Sequence, residues 1–509
     1  MHTCNPIPTL PLVKAVLLAA VGALVSVLAF PPYGPGWLIF IGVTAFLTAL
    51  RLVETRRQGL LVGAVYGFIF FGWLLSWLAQ LELIALILVP VEAIFFVAYG
   101  WWLVKYNNRT PGVWLILAVG GWGFMELLRY QFPTGGFEWG AVGYALSDSD
   151  VFRHLARVVG ASGITIVVAL VAGSIALVAS GPRGRSLLRP IGIAVVGLLV
   201  LVGVSLPSIS AEGSVPASIV QGSTPCPFEH CPPNERFHTY EQHLELTRTI
   251  PDGEGGWLVV WSEGSTGSTN ADPVNNPEIG DAIGAEAARL NSWMLVGSDR
   301  ILSDTDWINA NVFFNDEGEI VDEYRKQHPV PFGEYIPLRP LFEWIPALDR
   351  VPRDMIPGDG PVVIDTGLYK LGSVISFEGA FSRYALQHRR AGAEVIVVAT
   401  NEASYGPDAA TSDQLIGMTR MRAAELGVPV VHSAVTGRST FIDASGRIGD
   451  LTGLGTEELL QEGMGAPRAR TIYSYTGNVV MYLSAILGVL MWWRVRSLVG
   501  SDDRILEEE

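Results

Sequence analysis

Cysteine and charged side chains are both scarce in this sequence. Three cysteines in 509 residues exclude a fold built on a disulfide framework. Asp, Glu, Lys and Arg together make up only 16% of the chain, and the formal net charge of −15 argues against a nucleic-acid-binding surface. Hydrophobic residues make up 50% of the chain, which is more than one soluble core requires. We therefore expect a membrane protein that carries a globular part.

Apolar runs long enough to cross a bilayer lie at both ends of the chain. We expect eight spans, at about 12–30, 36–52, 59–79, 83–104, 112–128, 161–179, 191–206 and 479–493. This pattern predicts an N-terminal membrane domain of about seven spans at 1–213, a globular domain at 214–469, and a C-terminal span with an acidic tail at 470–509.

Lys and Arg near most span ends fall on one side of the membrane if the N-terminus is cytoplasmic, and only the loop at 129–160 departs from this pattern. We therefore expect both termini in the cytoplasm and the globular domain outside. On that oxidising side, Cys226 and Cys231 could close a small loop. Their spacing relative to nearby histidines fits no standard zinc pattern, so no metal is expected.

Two carboxylates lie inside predicted spans, where a charge is costly. Glu92 and Glu126 should therefore face the interior of the helix bundle. Arg129 follows Glu126 by one helical turn and is expected to pair with it. We interpret this pair as a packing and orientation device.

The globular part alternates between predicted strands and helices. Short buried strands are predicted at 217–221, 256–261, 293–297, 311–315, 361–365, 370–376, 393–400, 429–433 and 439–443. Helices are predicted at 236–249, 277–290 and 412–426. This alternation favours a layered α/β sandwich.

Three polar side chains in this domain are candidates for chemistry. Glu263 ends the apolar strand LVVWSE and could act as a general base. Lys326 lies in YRKQHPVPFGEY, where an ammonium group could stabilise a developing oxyanion. Ser376 ends the strand in SVISFEGAF and would be displayed on a turn. Each residue taken alone is more often structural or solvent-facing than catalytic.

Taken together, these segments resemble the nitrilase, or carbon–nitrogen hydrolase, superfamily, and within it the apolipoprotein N-acyltransferase family. The resemblance covers nearly the whole chain. It includes FPTGGFEW at 132–139, VPFGE at 330–334, TNEASYG at 400–406 and MRAAELG at 421–427. It implies a nitrilase-like αββα domain outside the membrane, attached to a multi-pass helical bundle in a bacterial plasma membrane, with no cofactor.

The resemblance also implies a reaction and a role for each site residue. An acyl chain would pass from a phospholipid to the enzyme, and then to the N-terminal amine of a diacylglyceryl-cysteine in a lipoprotein. Glu263 would be the base, Lys326 the cation that stabilises the oxyanion, and Ser376 would hold the nucleophile position. Glu334 and Glu378 would be supporting acids.

The sequence departs from the family at the nucleophile, since the family has cysteine where this chain has Ser376. Ser382 stands in place of a proline and Ser404 in place of an aromatic residue. A hydroxyl is far less acidic than a thiol and needs stronger activation. Ser376 could therefore be a working nucleophile in a retuned site, an introduced substitution, or the mark of a silent site.

A silent homologue would bind lipoproteins or act as a scaffold for a membrane glycosyltransferase, with a polyprenol-phosphate mannose synthase as its partner. A third interpretation is a membrane-tethered amidase. The loops quoted above favour the acyltransferase over the amidase, and hydrolysis of a small soluble amide would distinguish the two.

Overall fold

The computed structural model describes residues 9–81, 83–180, 214–229, 231–232, 235–342, 344–466 and 469–505. These residues fall into two compact units. One is drawn from Met1–Leu206 and Thr476–Glu509, and the other from Pro207–Tyr475. The first is helical, whereas the second holds all the strands described below.

The described helices are numbered along the chain. They are α1 (Thr9–Val27), α2 (Leu38–Arg51), α3 (Arg56–Leu74), α4 (Leu78–Leu81), α5 (Leu88–Leu103), α6 (Pro111–Arg129), α7 (Asp150–Ala179), α8 (His238–Arg248), α9 (Pro277–Leu290), α10 (Arg339–Phe342), α11 (Ser382–Ala391), α12 (Ala409–Leu426), α13 (Ile472–Thr476) and α14 (Val479–Ile505).

The described strands are short, and most of them are buried. They are β1 (Val215–Gln221), β2 (Leu258–Trp261), β3 (Trp293–Ile301), β4 (Asp306–Phe314), β5 (Ile320–Arg325), β6 (Asp354–Met355), β7 (Val363–Asp365), β8 (Lys370–Ile375), β9 (Val395–Thr400), β10 (Val430–Ala434), β11 (Thr440–Ile442), β12 (Ile448–Leu451) and β13 (Glu458–Met464).

Among the described residues, five helical segments of the first unit are long and apolar enough to cross a membrane. They are Arg56–Leu74, Ala85–Tyr106, Pro111–Arg129, Asp150–Ala179 and Val479–Leu498. The apolar segments Pro11–Val27 and Leu38–Arg51 are shorter. The predicted spans all fall on these helices except the one at 191–206, which lies outside the described residues.

A buried charge cluster joins α5 and α6 of the first unit to the loop that follows α6. Arg129 Nε lies 3.2 Å from Glu92 Oε2 and 3.7 Å from Glu126 Oε2, so the predicted pair is present and Glu92 joins it. Arg129 Nη2 also donates to the carbonyl oxygens of Phe137 and Trp139, at 3.3 and 2.9 Å. The guanidinium group therefore forms ion pairs with two buried carboxylates and holds the FPTGGFEW loop by hydrogen bonds at the same time.

The described strands of the second unit form two sheets. One has the strand order β13-β1-β2-β3-β4-β5, with β6 paired to β4, and the other has the order β12-β11-β10-β9-β8-β7. The pairs β1–β2, β2–β3, β8–β9 and β9–β10 are parallel, so the carboxyl ends of neighbouring strands meet at one edge of each sheet. This is the edge where functional side chains usually collect in α/β folds.

Apolar side chains fill the space between the sheets and the space under the helices. Ile219, Val260 and Leu295 of one sheet pack in a single cluster with Ile375 and Val397 of the other. Separate clusters join α8 and α9 to the first sheet, and α11 and α12 to the second. The predicted α/β sandwich is therefore confirmed as a helix–sheet–sheet–helix arrangement.

Candidate active site

Glu263 lies just beyond the end of β2, and only 6% of the residue is exposed. Its Oε1 accepts hydrogen bonds from Asn309 Nδ2 at 2.7 Å and Lys326 Nζ at 3.3 Å. Its Oε2 accepts from the backbone N–H of Asn401 at 2.8 Å. The chain can take this path because Gly297 has no side chain; a Cβ there would lie 2.6 Å from Glu263 Cα. Three separate segments therefore hold this carboxylate.

Lys326 follows β5 and is 1% exposed. Its Nζ lies 2.6 Å from Glu334 Oε1, in addition to its contact with Glu263. Burial alone would lower the pKa of Lys326, but the charges of Glu334 and Glu263 outweigh burial and raise the pKa. The side chain therefore carries its positive charge at neutral pH, as an oxyanion-stabilising group requires.

Glu334 holds the VPFGE turn in place as well as the ammonium group. Its Oε2 accepts a hydrogen bond from the backbone N–H of Val330 at 2.7 Å, while its Oε1 faces Lys326. Burial raises the pKa of Glu334, and the charge of Lys326 opposes that rise. Glu334 therefore ties the Lys326 ammonium to the backbone of the VPFGE turn.

Ser376 occupies a strained turn directly after β8. Its φ of 53° lies in the left-handed region, which costs a residue other than glycine about 1–3 kcal/mol. Strands β8 and β9 are parallel, with Ile375 opposite Ala399, so Ser376 leaves the sheet next to the turn at Asn401. That turn donates the hydrogen bond to Glu263 Oε2. The contact between Asn401 and Glu263 therefore links the two strand ends, one from each sheet, that carry the serine and the carboxylate.

Glu378 joins the Ser376 turn to the segment that carries Lys326. Its Oε2 accepts from the N–H of Ile375 and from Tyr324 Oη, both at 2.8 Å. Its Oε1 accepts from the N–H groups of Gln327 and His328, at 2.6 and 3.0 Å. Burial raises the pKa of Glu378, and these hydrogen bonds oppose that rise. Glu378 therefore stabilises the relative positions of the Ser376 turn and the segment after Lys326.

Sequence reasoning missed several residues that hold the site together. Asn309 and Asn401 both bind Glu263, and Tyr324 binds Glu378. For Asn309 a signal was present, because WINANVFF places amide side chains on one face of an otherwise apolar strand. Burial raises the pKa of two further carboxyl groups in the domain, Asp299 and Glu402, to about 7.

A disulfide follows β1 in the second unit. Cys226 and Cys231 form a disulfide, with their Cα atoms 5.2 Å apart. Cys226 and Cys231 therefore close the small loop that the sequence allowed.

The arrangement supplies the components of acyl transfer. Glu263 can accept a proton, Lys326 can stabilise negative charge on a carbonyl oxygen, and Ser376 presents a hydroxyl group at the same edge of the fold. Carboxylate, cation and nucleophile thus come from three different strand ends.

The chain matches two family models in sequence. Residues 22–174 match the apolipoprotein N-acyltransferase N-terminal domain, and residues 217–470 match the carbon–nitrogen hydrolase family. The apolipoprotein N-acyltransferase of Geobacter metallireducens is 26% identical over 489 residues, covering 91% of this chain and 92% of that protein. The protein of the same name from Sinorhizobium medicae is 28% identical, covering 85% and 87% of the two chains.

A third protein of this name, from Rhodopseudomonas palustris, is 27% identical and covers 95% of both chains. Among solved structures, a carbon–nitrogen hydrolase from Helicobacter pylori G27 is 17% identical with a TM-score of 0.38, covering 49% of this chain and 89% of that chain. An amidase from Nesterenkonia sp. is 14% identical with a TM-score of 0.39, covering 51% and 93%.

Proposed function

This chain belongs to the apolipoprotein N-acyltransferase family, and we propose that it transfers an acyl chain from a phospholipid to the N-terminal amine of a lipoprotein through an acyl-enzyme on Ser376. The acceptor would be the amine of a diacylglyceryl-cysteine. The observation that carries the proposal is the buried ammonium of Lys326, which lies between Glu263 and Glu334. The Glu378 carboxylate links the segment after Lys326 to the turn of Ser376, since it accepts from the N–H groups of Gln327 and Ile375.

In the first half-reaction, Ser376 Oγ attacks the ester carbonyl carbon of the phospholipid. Glu263 takes the hydroxyl proton, and Lys326 stabilises the negative charge that develops on the carbonyl oxygen. Collapse of the intermediate breaks the bond to the glyceryl oxygen, which leaves as a lysophospholipid with the proton from Glu263. Ser376 is then an ester of the transferred chain.

In the second half-reaction, the acceptor amine attacks the carbonyl carbon of this ester. Lys326 again stabilises the oxyanion, and the C–O bond to Ser376 breaks. The serine oxygen recovers a proton through Glu263, and the product is an amide. A serine ester is a suitable acyl donor to an amine, because an amide is more stable than an ester.

Both substrates are lipids, so the proposal requires a membrane setting. The helices of the first unit that are long and apolar enough to cross a membrane would anchor the chain in one. We place both termini in the cytoplasm and the globular domain outside, with eight spans in a bacterial plasma membrane.

A cysteine introduced by Ser303→Cys, at an exposed position of the globular domain, should react in intact cells with a maleimide that cannot cross the membrane. Reaction only after lysis would contradict this orientation.

The competing proposal is a silent homologue. Serine at position 376, where the family has cysteine, is the observation that favours it. Such a protein would bind lipoproteins, or act as a scaffold for a membrane glycosyltransferase such as a polyprenol-phosphate mannose synthase.

An acyl-transfer assay with the purified full chain separates these proposals. The chain is incubated with phosphatidylethanolamine vesicles and a synthetic diacylglyceryl-cysteine peptide, and the peptide mass is followed. The proposed function predicts that the peptide gains one acyl chain, whereas a matched peptide with an acetylated N-terminus does not. If neither peptide is modified while lipoprotein peptides still bind, the silent homologue is the correct account.

A further inference from the structure

Asp299 is a carboxylate beside the active site that the mechanism above does not use. It lies on β3, two residues beyond Gly297, the glycine that allows the close approach of Glu263. In the antiparallel ladder its direct partner is Asn309, which donates to Glu263 Oε1. Since directly paired residues project to the same face of a sheet, Asp299 lies on the face that carries Asn309.

Two acceptor oxygens at this position have no donor. Asp299 Oδ1 and Asn309 Oδ1 are both buried and, among the described residues, neither has a hydrogen-bond partner. Asn309 is only 4% exposed, so water cannot reach most of its side chain. Buried acceptors without a donor are unfavourable, and such a pair on one sheet face suits a ligand that brings N–H groups.

The charged groups around Asp299 also favour the binding of a cation. The charged groups that act on it most are the carboxylates of Glu263 and Glu334 and the cations of Lys326 and Arg236. Lys326 Nζ already contacts both glutamates, and Arg236 Nε donates to the carbonyl oxygen of Cys231. Neither cation is hydrogen-bonded to Asp299, so this carboxylate remains available for a positively charged ligand.

We propose that Asp299, together with the side-chain oxygen of Asn309, binds the ammonium group of the acyl acceptor and takes up one of its protons. This inference rests on the proposed function, because it identifies where the acceptor amine enters the site. A primary amine arrives mostly as an ammonium ion at neutral pH, and it must lose a proton before its lone pair can attack an ester.

The protons of the second half-reaction then balance. The acceptor enters as R–NH3+ beside ionised Asp299, and one proton moves to Asp299 to give R–NH2. The amine forms a bond to the carbonyl carbon, and the C–O bond to Ser376 breaks. A second proton passes from the amine through Glu263 to Ser376 Oγ, and the third stays on the amide. Asp299 releases its proton to water before the next cycle.

The titration of Asp299 suits this role. Burial, followed by the nearby charges of Glu263 and Glu334, raises its pKa to about 7. This value is close to that of an α-amino group, about 8, so a proton can pass between the two groups without a large barrier. Below about pH 6, Asp299 is neutral and loses its attraction for the ammonium ion.

The first test measures binding without catalysis. A full-chain Ser376→Ala variant is titrated with the diacylglyceryl-cysteine peptide, either with a free amine or acetylated at the N-terminus. At pH 8 we expect tighter binding of the free amine by about tenfold, a typical value for one charge-assisted hydrogen bond. Adding Asp299→Asn should remove the preference, and so should lowering the pH to 5.5. Equal binding of the two peptides at pH 8 in Ser376→Ala would overturn the inference.

The second test separates the two half-reactions in the chain with Ser376 intact. Asp299→Asn should form the acyl-enzyme from phospholipid at close to the normal rate but transfer it to the amine about 10²-fold more slowly, with recovery as the pH rises and the amine deprotonates unaided. Asp281→Asn removes an exposed carboxylate of the same domain and should change neither step. A purely structural role for Asp299 predicts equal losses in both steps and no recovery.

The two proposals fail in different ways. If the unmodified chain transfers acyl groups and Asp299→Asn transfers them equally well, the role of Asp299 is refuted and the proposed function stands. If the unmodified chain forms no acyl-enzyme but the amine preference depends on Asp299, the binding site stands and the catalytic proposal is refuted.

Discussion

Replacing Ser376 with alanine will abolish acyl transfer, lowering the rate by about 10⁴-fold or more. Without a hydroxyl at this position no acyl-enzyme can form, and the loss of a nucleophile in comparable enzymes removes nearly all activity. The turn itself should survive, because Ile375 pairs with Ala399 in the sheet and its N–H donates to the Glu378 carboxylate. The rate of peptide acylation by the purified full chain is the measurement.

Two further serine variants control this experiment. Ser303→Ala removes an exposed hydroxyl from the same domain and should leave the rate unchanged. Ser376→Cys places at this position the cysteine that the family resemblance implies and, with its more acidic thiol, should form the acyl-enzyme at least as fast as the native chain. If Ser376→Ala retained half of the native rate, the nucleophile would have to lie elsewhere.

Replacing Lys326 with methionine will impair both activity and stability. Methionine has a similar volume but no charge, so Glu263 and Glu334 would be left buried without their cation. Breaking a buried ion pair in this way costs about 3–5 kcal/mol of folding free energy. Losing the group that stabilises the oxyanion should lower the acylation rate by about 10²–10³-fold.

The stability loss from Lys326→Met should be partly relieved by acid. Burial raises the pKa of Glu334, and removal of Lys326 takes away the charge that opposed this rise. A carboxyl group whose pKa is raised in the folded state stabilises the fold at a pH where it is protonated. Lowering the pH toward the pKa of Glu334 in the unfolded chain should therefore narrow the difference in melting temperature between the Lys326→Met and native chains. Lys370→Met, at an exposed lysine of the same domain, is the control. Equal melting temperatures for native and Lys326→Met chains would contradict the buried ion cluster.

The buried strands and long helices were predictable because their apolar patterns are strong. The helix predicted at 277–290 is α9, and the strands predicted at 217–221 and 393–400 coincide closely with β1 and β9. The sequence did not predict β13, because ELLQEGM has no alternating pattern and only its last residue is buried. Its pairing with β1, far away in the chain, stabilises it instead.

The catalytic candidates were identified from motifs, but their supporting contacts were not. VPFGE indicated Glu334, yet the contact between Glu334 and Lys326 depends on how the turn folds back. Asn309 and Asn401 reach Glu263 from segments 46 and 138 residues away in the chain. Contacts of this kind follow from sheet topology, and local sequence patterns carry little information about it.

The most direct test of the account is intact-mass and peptide-level mass analysis of the native full chain after incubation with phospholipid and no acceptor. Formation of an acyl-enzyme on serine predicts a mass gain of one acyl chain, located on the peptide that contains Ser376 and lost when the acceptor peptide is added. An unmodified chain, or an adduct on any other residue, would contradict the claim that Ser376 is the working nucleophile.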